Sequence, residues 1–436
     1  MKREIFSSKV GFVLSCIGAA IGLGNIWMFP YRLGQYGGAA FLIPYFIFVF
    51  GLGTIGLMTE FSFGRRFKGG SATGISVILR EKGAKFGKIL AIIPAIGLMG
   101  VFMFYNVVVG WIIKYFGMSI TGEISKVNIA TYFDSFAGSG NSIFFNFIAI
   151  AITLIIVYLG VTKGIENINK IIMPGLFIIF ILLAIRSLTL PNAMEGVKYL
   201  LTPDFSYLLK PETWVMALGQ AFFTVSLNGC GMVVYGSYID KDFDIPKSAF
   251  STAILDTLAA LLVSFVIMPA VFSFGLDPQA GPPLLFITMP TIFKSMPGGH
   301  ILSVIFFLSI LFAAISSSIN MLEGPVEALM GRTNLSRKAA SILVALTGFV
   351  LSIPLNLSMD SFSNFTNLMT IIVSPVAALL VAIVFYFIYD SGKVLEEINI
   401  GANRKLGNGF ILMGKYVFPI TTVGVIILGV VYGGIG

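Results

Sequence analysis

The sequence predicts an all-α integral membrane protein of 11 transmembrane helices, ten of them forming a 5+5 inverted-repeat core in which helices 1 and 6 are unwound. Three observations predict it. Of 436 residues, 57% are hydrophobic and 11% charged, and the mean hydropathy is +0.94, whereas ordinary soluble domains are about a quarter charged. The apolar residues gather into runs close to the roughly 20 residues that a bilayer-crossing helix needs. Two of those runs, five apart, are interrupted by Gly and Asn.

The first repeat, residues 1–189, contains runs at about 10–33, 40–63, 88–117, 143–159 and 168–189. The second, 214–389, contains 214–238, 248–274, 301–329, 338–354 and 365–389, and a last run at 411–433 stands outside the repeats. Each run must be helical, because hydrocarbon offers no partner to an unpaired backbone group. They are also too long and too uniformly apolar for barrel strands. The first run starts after Lys9 and passes Pro30 with no small-residue cleavage site, so it is expected to stay as a span. Connections are short except near 118–142, 190–213 and 275–300, the last carrying Gly281-Pro282-Pro283 and Pro297-Gly298-Gly299; these are candidate lids.

The net charge of +8 is read through its distribution. With the N-terminus inside, the inner segments hold most of the 28 Lys and Arg: Lys2, Arg3 and Lys9; Arg65 through Lys88; Lys163 and Lys170; Lys241 and Lys247; Arg332, Arg337 and Lys338; Lys393, Arg404, Lys405 and Lys415. The positive-inside rule then places the N-terminus in the cytoplasm and the C-terminus outside a cell or inner membrane. The excess charge is topology, and no nucleic-acid partner is expected. Cys16 and Cys230 lie inside apolar runs, with neither disulfide nor metal-ligand spacing.

Candidate chemistry concentrates at one depth. The first span reads Gly18-Ala19-Ala20-Ile21-Gly22-Leu23-Gly24-Asn25 and the sixth Asn228-Gly229-Cys230-Gly231. A single such break can be a small-residue packing motif. Two at matching positions of two halves point to a binding site at a repeat interface, where unwound carbonyls face a cation and helix N-termini face a carboxylate. Asp256 lies in the apolar stretch Ala253 to Pro269 with no Lys or Arg at its depth, a functional site by default. Ser316-Ser317-Ser318 offers hard oxygens or, alternatively, helix-packing hydroxyls bonded back to carbonyls. Tyr105 adds an aromatic hydroxyl.

These residues carry a resemblance to the neurotransmitter:sodium symporter family, bacterial amino-acid transporter branch. It runs almost end to end, through Lys2-Arg3-Glu4 with Phe6, Gly18 to Pro30 with Tyr31, Gly37-Gly38-Ala39-Ala40-Phe41, Glu60 with Gly64-Arg65, Tyr105 and Trp111, Phe222 to Leu227, Tyr235-Gly236-Ser237-Tyr238, and Glu396-Glu397-Ile398-Asn399. The resemblance implies a symporter, not an enzyme, driven by two Na+ ions. One ion would be held by Ala20, Asn25, Thr224 and Asp256 together with the substrate carboxylate. The other would lie among Gly18, Ile21, Ala313, Ser316 and Ser317. The amino acid would set its carboxylate on the Leu23 and Gly24 amides and Tyr105, and its ammonium on the Ala20, Phe223 and Thr224 carbonyls and Ser226, with Ser317 counted among the substrate residues as well as the sodium ligands.

Other positions depart from the family pattern or tune it. Gly22 stands where monoamine members carry aspartate, which favours an amino-acid substrate. Asp256, with Ala260 where chloride-dependent members have serine, implies chloride independence. Gly229 replaces a pocket phenylalanine, so a roomier apolar pocket with Val101, Phe223 and Met321 and a bulky or aromatic hydrophobic L-amino acid are expected. Met28 and Thr366 replace the outer-gate ion pair, leaving closure to Phe223 and Tyr105. Arg3 faces Gly331 in place of its acidic partner, with Glu323, Glu327 and Asp240 as candidates for that role. Glu60 is expected to bond freed amides of the sixth span, and His300 to be solvated. Rival readings are a different small zwitterion, a transport-inactive sensor of the same fold, a channel and an intramembrane enzyme. A channel would need a ring-forming motif, and an enzyme a base beside a nucleophile.

Overall fold

A computed structural model describes residues 4–84, 86–278 and 284–433, and among these it contains helices and no strand. Arg3 and Gly281-Pro282-Pro283, on which a gate and a lid expectation rested, lie outside the described residues. In chain order the main helices are α1 Lys9–Ala20, α2 Gly24–Gln35, α3 Gly38–Phe67, α4 Ser71–Glu81, α5 Gly87–Thr121, α6 Gly140–Tyr158 and α7 Val161–Leu188. They continue with α8 Pro211–Thr224, α9 Gly231–Gly236, α10 Ile245–Ser273, α11 Gly299–Met330, α12 Arg337–Leu357, α13 Met359–Asn399 and α14 Asn408–Val431.

Among the described residues nine helices are long and apolar enough to cross a bilayer, and α1 with α2, bent by 61°, makes a tenth span. The expected run 214–238 is split into α8 and α9, each too short to cross by itself. A count of eleven therefore depends on taking that pair as one span.

Local chemistry sets where the helices start and stop. Ser8 caps α1 by accepting the Gly11 amide, and Asp244 caps α10 by accepting that of Lys247, with Pro246 in the first turn. α1 ends because Ile21 turns extended, at ψ 107. Beyond α8 the chain passes through left-handed conformations at Ser226, φ 57, and Gly229, φ 67. Asn228 then restarts the helix, its Oδ1 accepting the amides of Cys230 at 3.0 Å and Gly231 at 2.8 Å. The Gly229 amide, freed by the break, donates to Glu60 Oε1 at 2.9 Å, the role expected of Glu60.

One expectation is corrected. The apolar run at 365–389 is the middle of a 41-residue helix, α13. Its polar extension reaches Glu397, which accepts from Arg65 Nε at 2.7 Å with both side chains buried, tying two sequence motifs together. The three long connections contain short helices at Ile129–Phe136, Ala193–Leu201 and Leu284–Ser295. Buried Ile129 and Phe136, Ala193 and Leu200, and Leu285 and Phe286 anchor these helices against the bundle. His300, in the first turn of α11, is exposed.

Candidate functional site

The two breaks face one another across a cavity of about 50 Å³ whose walls come from α1, α2 and the turn between them, α5, α8, α11, α13 and the chain between α8 and α9. Its lining includes Ala20, Leu23, Gly24, Val101, Tyr105, Phe223, Ser226, Ser317 and Met321, nine of the expected substrate residues, along with Asn25. Gly22 is required by this geometry: a Cβ there would stand 2.8 Å from the Tyr105 hydroxyl and 3.0 Å from Ser317 Oγ. The hydroxyl of Tyr105 is buried with no hydrogen-bond partner among the described residues. Unpaired buried donors are rare and call for a partner. A donor aimed at an unwound backbone segment suits an anionic group such as a carboxylate.

Two expected residues do not line this cavity. Thr224 turns its side chain to Asp256 instead. Gly229 does not enlarge the pocket as expected, because a Cβ on it would point at the Ala377 backbone, 2.4 Å from its carbonyl oxygen. Only a glycine suits that crossing and that φ, so its role is backbone geometry. Ser226 does line the cavity, but its hydroxyl donates to the Ala19 carbonyl at 2.8 Å, leaving its oxygen lone pairs for a donor such as an ammonium.

Beside the cavity lies a polar cluster that lipid-facing helices would not tolerate. Asn25 Nδ2 donates to Thr224 Oγ1 at 2.9 Å and to Asp256 Oδ1 at 2.8 Å, and Thr224 Oγ1 donates to Asp256 Oδ2 at 2.7 Å. All three residues are buried. Asn25 Oδ1 also accepts the Gly22 amide at 3.1 Å, so the cluster holds the unwound turn directly. Asp256 has no Lys or Arg within ion-pair distance among the described residues. One carboxylate with neutral hydroxyl and amide oxygens is a hard-oxygen donor set of single charge, matched to a monovalent cation. Ca²⁺ sites gather several carboxylates.

A second cluster joins α1 to α11. Ser317 Oγ lies 3.1 Å from the Gly18 carbonyl and 2.9 Å from the Ile21 carbonyl, so three oxygens converge there. Ser316 Oγ donates to the Ala313 carbonyl at 2.8 Å, one turn back on the same helix. These five residues, Gly18, Ile21, Ala313, Ser316 and Ser317, are all buried. The hydroxyl-and-carbonyl chemistry again fits a small hard cation.

Sequence reasoning missed three features. Asn169 on α7 presents a buried Oδ1 with no hydrogen-bond partner among the described residues, toward Gly18, where an added Cβ would sit 2.2 Å from it. Arg32, also buried, donates to Gln220 Oε1 at 3.1 Å, and Gln220 Nε2 donates to the Gly24 carbonyl at 3.2 Å. Gln220 lies one helical turn before Thr224 and was legible as a polar residue on the same face. A larger aromatic vestibule of about 430 Å³ lies beyond the cavity, with Met28 and Thr366 in its wall. Leu23, Tyr105 and Phe223 border both spaces and so separate them.

A helical membrane bundle whose two interrupted spans enclose a pocket beside a buried acid is the architecture of a secondary transporter, not of an enzyme. The chain belongs to the sodium:neurotransmitter symporter family, whose model matches residues 3–136 and 126–433. A Bacillus subtilis (strain 168) protein described as an uncharacterized sodium-dependent transporter, YhdH, is 37% identical over 413 residues, 91% of each chain. An uncharacterized sodium-dependent transporter of Methanocaldococcus jannaschii is 30% identical over 454 residues, 98% of this chain and 90% of that one. Among solved structures, that of MhsT in complex with L-phenylalanine matches with a TM-score of 0.86 at 33% identity, covering 98% of this chain and 99% of the other. The protein is thus a multi-pass, sodium-dependent membrane transporter.

Proposed function

We propose that this protein is a symporter of a hydrophobic L-amino acid, coupled to two sodium ions, independent of chloride and working by alternating access between two five-span repeats. The observation that carries the reading is the shared corner at Gly22. There the cavity, the unpaired Tyr105 hydroxyl and the Asn25–Thr224–Asp256 cluster meet within one unwound turn. An amino acid's carboxylate placed at that turn joins the ligands of the first sodium, so each site is complete only when the other is filled. That is direct coupling.

The substrate class follows from the lining. Val101, Phe222, Leu227 and Met321 present apolar surface to the side chain, and Gly22 leaves the carboxylate its place. The complex of MhsT with L-phenylalanine supports a bulky or aromatic side chain. With Gly229 turned away, the room for such a side chain must come from Met321 and Phe223, which are flexible or half-buried.

The second sodium would bind among Gly18, Ile21, Ala313, Ser316 and Ser317, clamping α1 to α11, and Asn169 offers an oxygen on the α7 side of that clamp. With the Lys- and Arg-rich end in the cytoplasm, its loss inward frees α1. Each unit charge crossing 100 mV gains about 2.3 kcal/mol, so two sodium ions suffice for uphill uptake. The fixed charge of Asp256, with Ala260 one turn on, removes the need for chloride.

Uptake of labelled phenylalanine into proteoliposomes, competed by Tyr, Trp, Phe, Leu, Ile, Ala and Gly, tests the substrate. The large apolar competitors should win; competition by Ala and Gly alone would refute the reading. Replacing chloride by gluconate should leave uptake unchanged.

A further inference from the structure

Two hollows on the flank of the bundle, outside the candidate site, meet at one arginine. The first is a recess of about 460 Å³ between α5, α11 and α12, walled by Ile96, Met99, Pro325, Leu329, Leu343 and Leu351, with Arg332 at its end. Ile96, Leu343 and Leu351 are exposed, so the recess opens sideways, where hydrocarbon would lie. The second, of about 170 Å³, is bordered by Ser76, Arg80 and Lys88 on and around α4. Arg332 bridges them: its Nη2 donates to the Lys88 carbonyl at 2.9 Å and to Ser76 Oγ at 3.3 Å.

The electrostatics of this junction are one-sided. Arg80, Lys88 and Arg332 have no carboxylate within ion-pair distance among the described residues. Partial burial lowers the pKa of Arg332, as expected of a cation stripped of water without a counter-charge. Glu81 adjoins Arg80 in sequence but is exposed and turned elsewhere by the helix. Three cations at a small hollow, linked through Arg332 to an adjoining apolar recess, match a molecule with an anionic head and a hydrocarbon tail. Basic pockets between spans recognise such headgroups.

We propose that these joined hollows bind one anionic phospholipid, its phosphodiester among Arg80, Lys88 and Arg332 and one acyl chain in the recess against α11. Ordinary annular lipid is distinguished from this by depth and by net charge: a choline headgroup sets its own quaternary ammonium beside the phosphodiester, which offsets that anion and is repelled by the three cations. The chain would brace α11 near Pro325, which interrupts that helix's hydrogen-bond ladder two turns from Ser317.

Native mass spectrometry of the full-length protein in detergent, offered dioleoylphosphatidylglycerol or dioleoylphosphatidylcholine, tests this. Retention of the glycerol lipid should exceed that of the choline lipid by about tenfold. The variant Arg80→Gln, Lys88→Gln, Arg332→Gln should erase the preference while keeping sodium-dependent thermal stabilisation. Leu329→Trp, which fills the recess and keeps the charges, should also lose the lipid, and decides the matter should the triple variant not fold. Equal retention of both lipids, or full retention by either variant, overturns the proposal. So does displacement by glycerophosphate alone, which would mean a site for a free phosphate ester.

Discussion

The two ends of the bundle are closed by different physics. At the end rich in Lys and Arg, Arg337 reaches the Glu323 carboxylate at 2.7 and 2.8 Å and the Tyr238 hydroxyl at 3.2 Å, and Tyr238 in turn donates to Glu323. Nearby, Glu166 accepts from Ser7 and Ser8 and pairs with Lys170 at 2.7 Å, holding the approach to α1. At the other end the vestibule is aromatic, built from Trp27, Phe104, Trp111, Phe286 and Phe362, and Met28 and Thr366 leave no ion pair between them. A buried cation there, Arg32, donates to the neutral Gln220. A charge lock is strong only when whole, since losing one buried partner strands the other. Packed rings give way gradually. The charged end should therefore behave as a switch and the aromatic end as a yielding cover.

The largest effect should come from breaking the switch. Arg337→Ala leaves the fully buried Glu323 without its cation and should cost about 3–5 kcal/mol of stability, read by thermal unfolding in saturating sodium. Adding Glu323→Leu should recover most of the loss, and an undiminished single variant would remove the contrast. At the aromatic end, Phe223→Ala merges cavity and vestibule. Substrate Kd should rise roughly thirtyfold, about 2 kcal/mol, with little change in unfolding temperature; a fall in stability without a change in binding would make Phe223 mere packing.

Gln220→Ala removes one hydrogen bond from Arg32 and one from the Gly24 carbonyl together, a loss of about 1–2 kcal/mol. It should appear in substrate affinity, because Gly24 lines the cavity; Gln220→Glu should bind Arg32 at least as firmly. Smallest of all, Met28→Arg with Thr366→Asp would install an ion pair in a wet vestibule and should change affinity by less than about 1 kcal/mol. It should, however, add a sensitivity to choline chloride at fixed sodium that the parent lacks.

The same contrast explains what was legible in the chain. Apolar runs stand out because they suit hydrocarbon, Gly-rich breaks and Asp256 because each is costly there unless it serves the fold or the site, and nine of the expected substrate residues line one cavity. Gly229 misled because sequence gives a residue's identity and not the direction of its absent Cβ, here aimed at Ala377. Arg337 with Glu323 and Arg32 with Gln220 were not paired in advance, since each pair joins different helices and depends on helix rotation. The extension of α13 to Glu397 escaped notice because a helix leaving the bilayer loses its apolar signature while keeping its hydrogen bonds. The short helices Ile129–Phe136 and Ala193–Leu201 escaped for a similar reason: eight or nine residues are too few for periodicity to speak.

The coupling at Gly22 and Asp256 is tested most directly by labelled phenylalanine uptake into chloride-free proteoliposomes, with sodium or potassium outside, for the parent and Asp256→Asn. The parent should accumulate substrate above equilibrium only with sodium. The variant should need about a hundredfold more sodium, as expected when a cation loses a buried charge worth some 3 kcal/mol. Equal uptake in potassium, or an unchanged sodium dependence in Asp256→Asn, would contradict the account.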